Sequence, residues 1–524
     1  METAKALGLN SFSAEESPMK VGVKAFRAVG MAAVVFAALL IGGAGASAQV
    51  VVGTGVPDVP IPPGVDVFNL TLEQTIELSR AKNFEVVGHS YLKGDWLAGE
   101  AKARGAGSGF NTVRVHNGIA YLGGYNGPPT VFGALIVDVS DPRNMKPLSF
   151  IPCNPGARCA YLRLNTRRSI LVFDHDTTAS NPVKPATGQP VEAGFSFYDV
   201  SDPRNPVKLG HITTASNGAT HGFEIDDNFV YGCASTPNAK SPAGFHQELV
   251  IIDYTNAREP KLAATFRFPG LHAGELPDPQ NRVNPDGKPQ RLWCHEIDKD
   301  GDRLYVAWRD IGMVILDVSN PRTPRLVGRP YDYVPPYHGG FLGAAHTASP
   351  APHPGKPRAS IVVLSDEIFE CPPGIDRVLD VSDPDNVNLL STIRLPVDDT
   401  VDPPTGQFVC PPGQHSTHYI WFDHRTPGTL FYQAWYGQGL RAFDISNPYA
   451  PKEVGYYISP NYHDPKEKRP GAALRARHTR EMYLDPQTNL LYMTDGNGGG
   501  LTVLRYTGPL PMTPPMPGVR DVLR

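Results

Sequence analysis

The chain repeats one short phrase seven times: an apolar run, an Asp, then a polar turn. The Asp stands at Asp138, Asp199, Asp253, Asp317, Asp380 and Asp444, and the seventh copy, 501–506, carries Arg505 in that place. The steps between copies are 61, 54, 64, 63, 64 and 61 residues. A near-constant period with strand-like runs and Pro/Gly/Asn/Asp turns specifies a repeat architecture, which one closed array can extend over most of 524 residues. Each repeat reads as four short strands. Around Asp317 these are a strand a opening at His295-Glu296-Ile297-Asp298, strand b at Arg303–Trp308, strand c at Gly312–Leu316 and strand d at Arg325–Val327. Seven such units predict an all-β fold, a seven-bladed β-propeller of four-stranded blades.

The seventh copy lacks strand d and runs into a Pro-rich tail. The missing strand has a counterpart at the other end of the chain, Asn83-Phe84-Glu85-Val86-Val87-Gly88-His89, which matches the segment after each Asp phrase (Pro451-Lys452-Glu453-Val454-Gly455). Residues 84–88 are therefore expected to complete the last blade, which removes exposed sheet edges. The organisation expected is a signal peptide over 1–48, an extended segment with a short helix over 49–83, the propeller over 84–507 and a tail over 508–524. The helix is placed at 71–81, with Thr71 and Gln74 as a capping box.

The phrases Leu-Ile-Val-Asp-Val-Ser-Asp-Pro at 135–142 and Val-Ile-Leu-Asp-Val-Ser-Asn-Pro at 314–321 resemble the LVIVD-repeat propellers of exported bacterial proteins. The resemblance spans roughly 84–507 and implies the propeller fold. It implies no chemistry, because fold alone does not give function. The Asp of each phrase is read as a turn former that bonds local backbone N–H groups.

Lys20, Lys24 and Arg27, the apolar stretch 29–41 and Ala46-Ser47-Ala48 have the order of a secretory signal. A periplasmic or secreted protein follows, with no stable membrane span after cleavage, and six Cys are then free to form disulfides. Six Cys allow fifteen pairings. Cys153 and Cys159 lie close enough to close a small loop. Cys371 and Cys410, which each open a Cys-Pro-Pro-Gly phrase, are one candidate pair and Cys233 with Cys294 the other, and beyond Cys153–Cys159 the pairing stays open. The formal net charge is only −4, with no long run of like charge, so nucleic acid is not an expected partner.

Five of the sixteen His recur at the start of strand a, His221, His295, His346, His418 and His478. Strand a lines the axis, so these imidazoles converge near its mouth, on the face that also carries the long connections. Neutral imidazoles on a rigid ring suit a transition metal such as iron, copper or zinc. Candidate catalytic carboxylates, or further ligands, are Glu224, Glu296, Glu367 and Glu481. Asp366 and the Asp174-His175-Asp176 triplet belong to the same face, and the aromatics there (Trp308, Trp435, Tyr436, Tyr333, Tyr337) are candidates to line a pocket. The competing structural role is a His that bonds the neighbouring blade and bridges the ring. A third is a metal-free pocket with one His as general base. The function expected is a metal-dependent enzyme acting on a small organic molecule by oxidation or hydrolysis. The alternative is a non-catalytic scaffold holding an envelope protein or glycan.

Overall fold

In a computed structural model, the residues described are 49–52, 55–95, 108–124, 133–154, 157–176, 192–216, 218–237, 247–272, 292–331, 344–353, 355–368, 373–396, 416–461 and 477–511. The expected signal peptide, most of the tail, Cys371, Cys410, Tyr333, Tyr337 and the greater part of the long connections lie outside them.

Seven antiparallel sheets form the blades of one ring. Blade 1 is built from Phe110–His116, Ile119–Gly124, Gly133–Asp138 and Lys146–Pro152, and blade 4 from Glu296–Asp300, Arg303–Trp308, Gly312–Asp317 and Arg325–Leu326. Strands b and c are buried on both faces, which is why they read as continuous apolar runs rather than alternating ones. The core therefore lies between neighbouring blades, where Tyr305 and Ile315 of blade 4 pack on Ala348, Val362 and Leu364 of blade 5. Trp308 and Trp435 are wholly buried in packing of this kind.

The Asp of each phrase acts as a turn former. Its Oδ1 accepts the backbone N–H two residues on, from Ser140, Ser201, Thr255, Ser319, Ser382 and Ser446, at 2.8–3.0 Å. In the seventh copy Arg505 instead reaches Glu85 on the closing strand, Nη1 to Oε2 at 2.6 Å.

Phe84–Ser90 pairs antiparallel with Leu501–Tyr506 and completes blade 7, as expected. Gly88 is required there. A Cβ at that position would stand 1.9 Å from the Pro142 carbonyl oxygen of blade 1. Thr71 caps the helix Leu72–Leu78 with the full capping box. Two further strands extend the sheets beyond four. Gln49–Val52 runs parallel to the outer strand of blade 5, and Arg80–Lys82 antiparallel to that of blade 6. Disulfides join Cys153 to Cys159 and Cys233 to Cys294.

Candidate functional site: an axial imidazole arc

The strand pairings put His221, His295, His346 and His418 at one ring position in blades 3 to 6. Their rings pack against one another around the axis, tilted by 40–58° from pair to pair. Centroids are 3.9 Å apart for His221 and His295, 4.6 Å for His295 and His346, and 4.0 Å for His346 and His418. His478 departs from the expected register. The pairing of Thr479 with Asp495 and of Met482 with Met493 puts Arg480, two residues on, at the ring position in blade 7. His478 still joins the arc through Tyr436, at 4.5 Å. An offset of two keeps a side chain on the same face of a strand. Asn111 holds the ring position in blade 1 and Ala160 in blade 2.

A second tier stands over the ring at the residue that follows strand b. It contributes Arg309 from blade 4, Glu367 from blade 5 and Tyr436 from blade 6. The backbones of Arg309 and Tyr436 meet the next strand a, where Ala345 N–H donates to the Arg309 carbonyl at 3.1 Å and Thr479 N–H to that of Tyr436 at 3.2 Å, while the Glu367 N–H donates to the Ala344 carbonyl of its own blade at 2.8 Å. Arg309 and Tyr436 take left-handed φ values of +32° and +31°, a strained conformation for side chains of this size. The surrounding ladder fixes it, and it brings both side chains to Glu367. Tyr436 donates its hydroxyl to Oε1 at 2.5 Å, and Arg309 Nη2 donates to Oε2 at 2.8 Å.

The hydrogen bonds fix which nitrogens hold lone pairs. His418 Nδ1 lies 2.7 Å from the Arg480 carbonyl, which only accepts, so Nδ1 carries the proton and Nε2 the lone pair. His346 Nδ1 bonds the Thr347 hydroxyl at 2.7 Å. The Nε2 atoms of His346 and His418 are buried, with no hydrogen-bond partner among the described residues. His295 Nε2 faces Arg309 Nη2, a pure donor, so it too holds a lone pair. Glu367 Oε2 is 3.7 Å from His295 Nε2, and Oε1 is 3.9 Å from His418 Nε2. One ligand atom from each of His295, His346 and Glu367 lies within 4.8 Å of the other two.

Protonation follows from burial. Desolvation pushes His346 down to about 3, with Arg309 and Arg480 adding to it. Burial likewise holds His221, His295, His418 and His478 well below the usual imidazole range. Burial opposes the Glu367 carboxylate, but Arg309, His346, Arg480 and the Tyr436 hydroxyl outweigh it and hold the carboxyl far below its usual value. At neutral pH the site is a set of neutral imidazoles around one ionised carboxylate.

Glu296 lies on the far side of His221. Its Oε1 is 3.4 Å from His221 Nδ1 and accepts from the Tyr419 hydroxyl at 2.8 Å. Tyr161 reaches the other His221 nitrogen at 3.2 Å. Burial raises the Glu296 carboxyl well above its usual range, against Arg163. Gly222 makes room for it, since a Cβ there would stand 1.9 Å from Glu296 Oε2.

The remaining candidate carboxylates tie blades together. Glu481 pairs with Arg114 at 3.0 Å and accepts the Val113 N–H at 2.7 Å, which latches blade 7 to blade 1. Glu224 pairs with Arg163 at 3.0 Å, blade 3 to blade 2, about 10 Å along the strand from His221. Asp366 bonds Arg377 and Asp176 bonds Arg158. Asp174 accepts the Tyr161 N–H at 2.9 Å, and His175 packs by Cys159 and Ser196 away from the arc. Arg309, Arg480, Tyr161 and Tyr419 were not anticipated as part of the site.

Comparison with known proteins bears on the fold. The periplasmic gluconolactonase PpgL of Pseudomonas aeruginosa superposes with a TM-score of 0.46 at 12% identity, over 71% of this chain and 86% of that one. A protein from Lactobacillus plantarum gives 0.45 at 14%, over 76% and 90%. A hypothetical selenium-binding protein from Sulfolobus tokodaii gives 0.39 at 15%, over 54% and 65%. These likenesses concern the fold alone. No functionally curated protein matches the chain. The sequence model of the LVIVD repeat matches residues 296–332 and 431–459, in blades 4 and 6. Those segments carry the Asp phrases at Asp317 and Asp444, two of the seven copies around the closed ring, and the chain is a seven-bladed β-propeller that carries the LVIVD repeat in two of its blades.

Proposed function

We propose that the axial arc holds a transition metal and that the protein is a metal-dependent enzyme acting on a small organic molecule. The observation that carries this is the pair of buried Nε2 lone pairs of His346 and His418 beside an ionised Glu367, with His295 as the third imidazole. Three nitrogens and one carboxylate suit iron, copper or zinc. His418 is oriented by a carbonyl at its other nitrogen, as metal-bound imidazoles characteristically are. When bound, such an ion supplies Lewis acidity or, if redox-active, electron transfer.

The chain's own groups define the rest. Tyr436 holds a proton at Glu367 Oε1, and the site is positioned to return it to a ligand. The Tyr161–His221–Glu296–Tyr419 chain offers a buried path for a proton on the other side. The two disulfides support export to an oxidising compartment. Among the described residues no helix is long and apolar enough to cross a membrane.

A second reading rests on Arg309. Its Nη2 stands between His295 and Glu367 Oε2, where a cation would sit. The guanidinium would then be the resident cation of a metal-free acid–base site. Elemental analysis of protein purified without a His tag separates the two. Near-stoichiometric iron, copper or zinc, lost in a His346→Ala, His418→Ala variant, is expected. No metal in either protein after reconstitution overturns the metal reading.

A further inference from the structure

The arc is joined by one continuous set of hydrogen bonds. Arg480 Nε donates to Asn111 Oδ1 at 2.7 Å and its Nη1 donates to the Tyr436 hydroxyl at 3.0 Å. Tyr436 donates to Glu367, which also accepts from Arg309. Asn111 is fully buried. Because a guanidinium only donates, Arg480 fixes the amide with its oxygen toward blade 7. Nδ2 is thereby aimed elsewhere, and it has no acceptor among the described residues. Arg309 Nε is in the same condition. Buried donors without acceptors are costly, and their natural complement is a ligand oxygen.

Charge counting leads to the same place. Most neighbouring carboxylates are already committed, Glu481 to Arg114, Glu224 to Arg163, Asp176 to Arg158 and Asp366 to Arg377, while Glu296 faces His221 and the Tyr419 hydroxyl. Among the described residues Glu367 is the one carboxylate that Arg309 contacts. A metal ion that takes Glu367 Oε2 as a ligand takes it from Arg309. A buried guanidinium would then face a divalent cation with no counter-charge, which the interior does not tolerate. An anion that enters with the metal restores the balance.

We propose that the organic ligand of this site is a small carboxylate. Its oxygens accept from Asn111 Nδ2 on one side of the axis and from Arg309 on the other, once Glu367 turns to the metal. This rests on the metal reading above and gives its substrate a class. It also makes the two ligands cooperative, because each supplies the charge that the other leaves unbalanced.

The test uses acetate and acetamide, which match in shape and differ in charge. Zinc uptake by the purified protein is measured first, alone. Binding of each probe is then measured by calorimetry to the zinc-loaded and the metal-free protein. The expected result is a preference for acetate of about tenfold or more in the zinc-loaded protein, as one charged hydrogen bond gives. Asn111→Asp keeps the acceptor for Arg480 and reverses the charge offered to the ligand, so it should remove the preference while zinc still binds. Arg309→Gln gives a second, neutral variant with the same expectation. Equal binding of the two probes in both metal states overturns the proposal, as does a preference unchanged in both variants. If zinc does not bind, the metal reading fails by itself. An Asn111-dependent acetate preference in the metal-free protein would then still support the carboxylate site, and its absence would overturn it.

Discussion

The metal-free protein should lose stability in mild acid, before its carboxylates are protonated, and His346 shows why. Burial pushes this imidazole down to about 3 from an ordinary 6.5. Its folded pKa is depressed, so between these values the unfolded chain binds a proton that the folded chain refuses. Stability from this residue is complete above pH 6.5 and is lost steadily as pH falls toward 3. The slope is about 1.4 kcal/mol per pH unit, so at pH 5 His346 alone removes about 2 kcal/mol. His221, His295 and His418 are displaced in the same direction by the same burial. They add to the loss in the same direction. His346→Gln keeps the volume and removes one titration. Urea midpoints measured from pH 7.5 to 4.5 in chelator should show the wild type losing stability more steeply than the variant, by about 1.4 kcal/mol per pH unit. Parallel curves would mean that His346 protonates freely in the folded protein, and the burial argument for neutral imidazoles would fail with it.

Other expected outcomes follow from single contacts. Arg309→Met should raise zinc affinity tenfold or more in a chelator competition, because the guanidinium and a metal compete for Glu367 Oε2; a fall would show that Arg309 assists the metal. Glu481→Gln should cost about 3 kcal/mol in urea denaturation by leaving Arg114 buried and uncompensated at the blade 7 to blade 1 seam, with metal content unchanged. Gly222→Ala should cost about 1–3 kcal/mol by the same measurement, because its Cβ displaces the Glu296 carboxyl from His221.

The fold was legible because every blade solves the same problem with the same residues. A strand buried on both faces needs an apolar run, and the turn after it needs an Asx side chain, so Asp138 and Asp444 look alike although they are 306 residues apart. Closure was legible for the same reason, since Phe84–Ser90 had to match the other outer strands in order to pair with Leu501–Tyr506. The strands that exist once could not be read this way. Gln49–Val52 and Arg80–Lys82 add to blades 5 and 6 without a sister copy to announce them.

The site divides along the same line. Four histidines share a position on strand a and so share a local sequence setting, which made them visible. Arg309, Glu367 and Tyr436 share a position too, but their chemistry differs at each copy; the sequence marks Glu367 and Tyr436 only as a carboxylate and an aromatic on the face of the long connections, and it passes over Arg309. What unites them is their place just beyond strand b, from which Arg309 and Tyr436, each bonded through its backbone to the next blade's strand a, turn their side chains to the Glu367 carboxylate between them. A repeat fold thus supplies two kinds of ring. One repeats a residue and gives the imidazole lone pairs. The other repeats only a place, and it is there that single substitutions can set charge and select a ligand without disturbing the blades. Arg309 belongs to that second ring. Exchanging it reads the chemistry directly, whereas exchanging Glu481, at the blade 7 to blade 1 seam, reads only the closure of the ring.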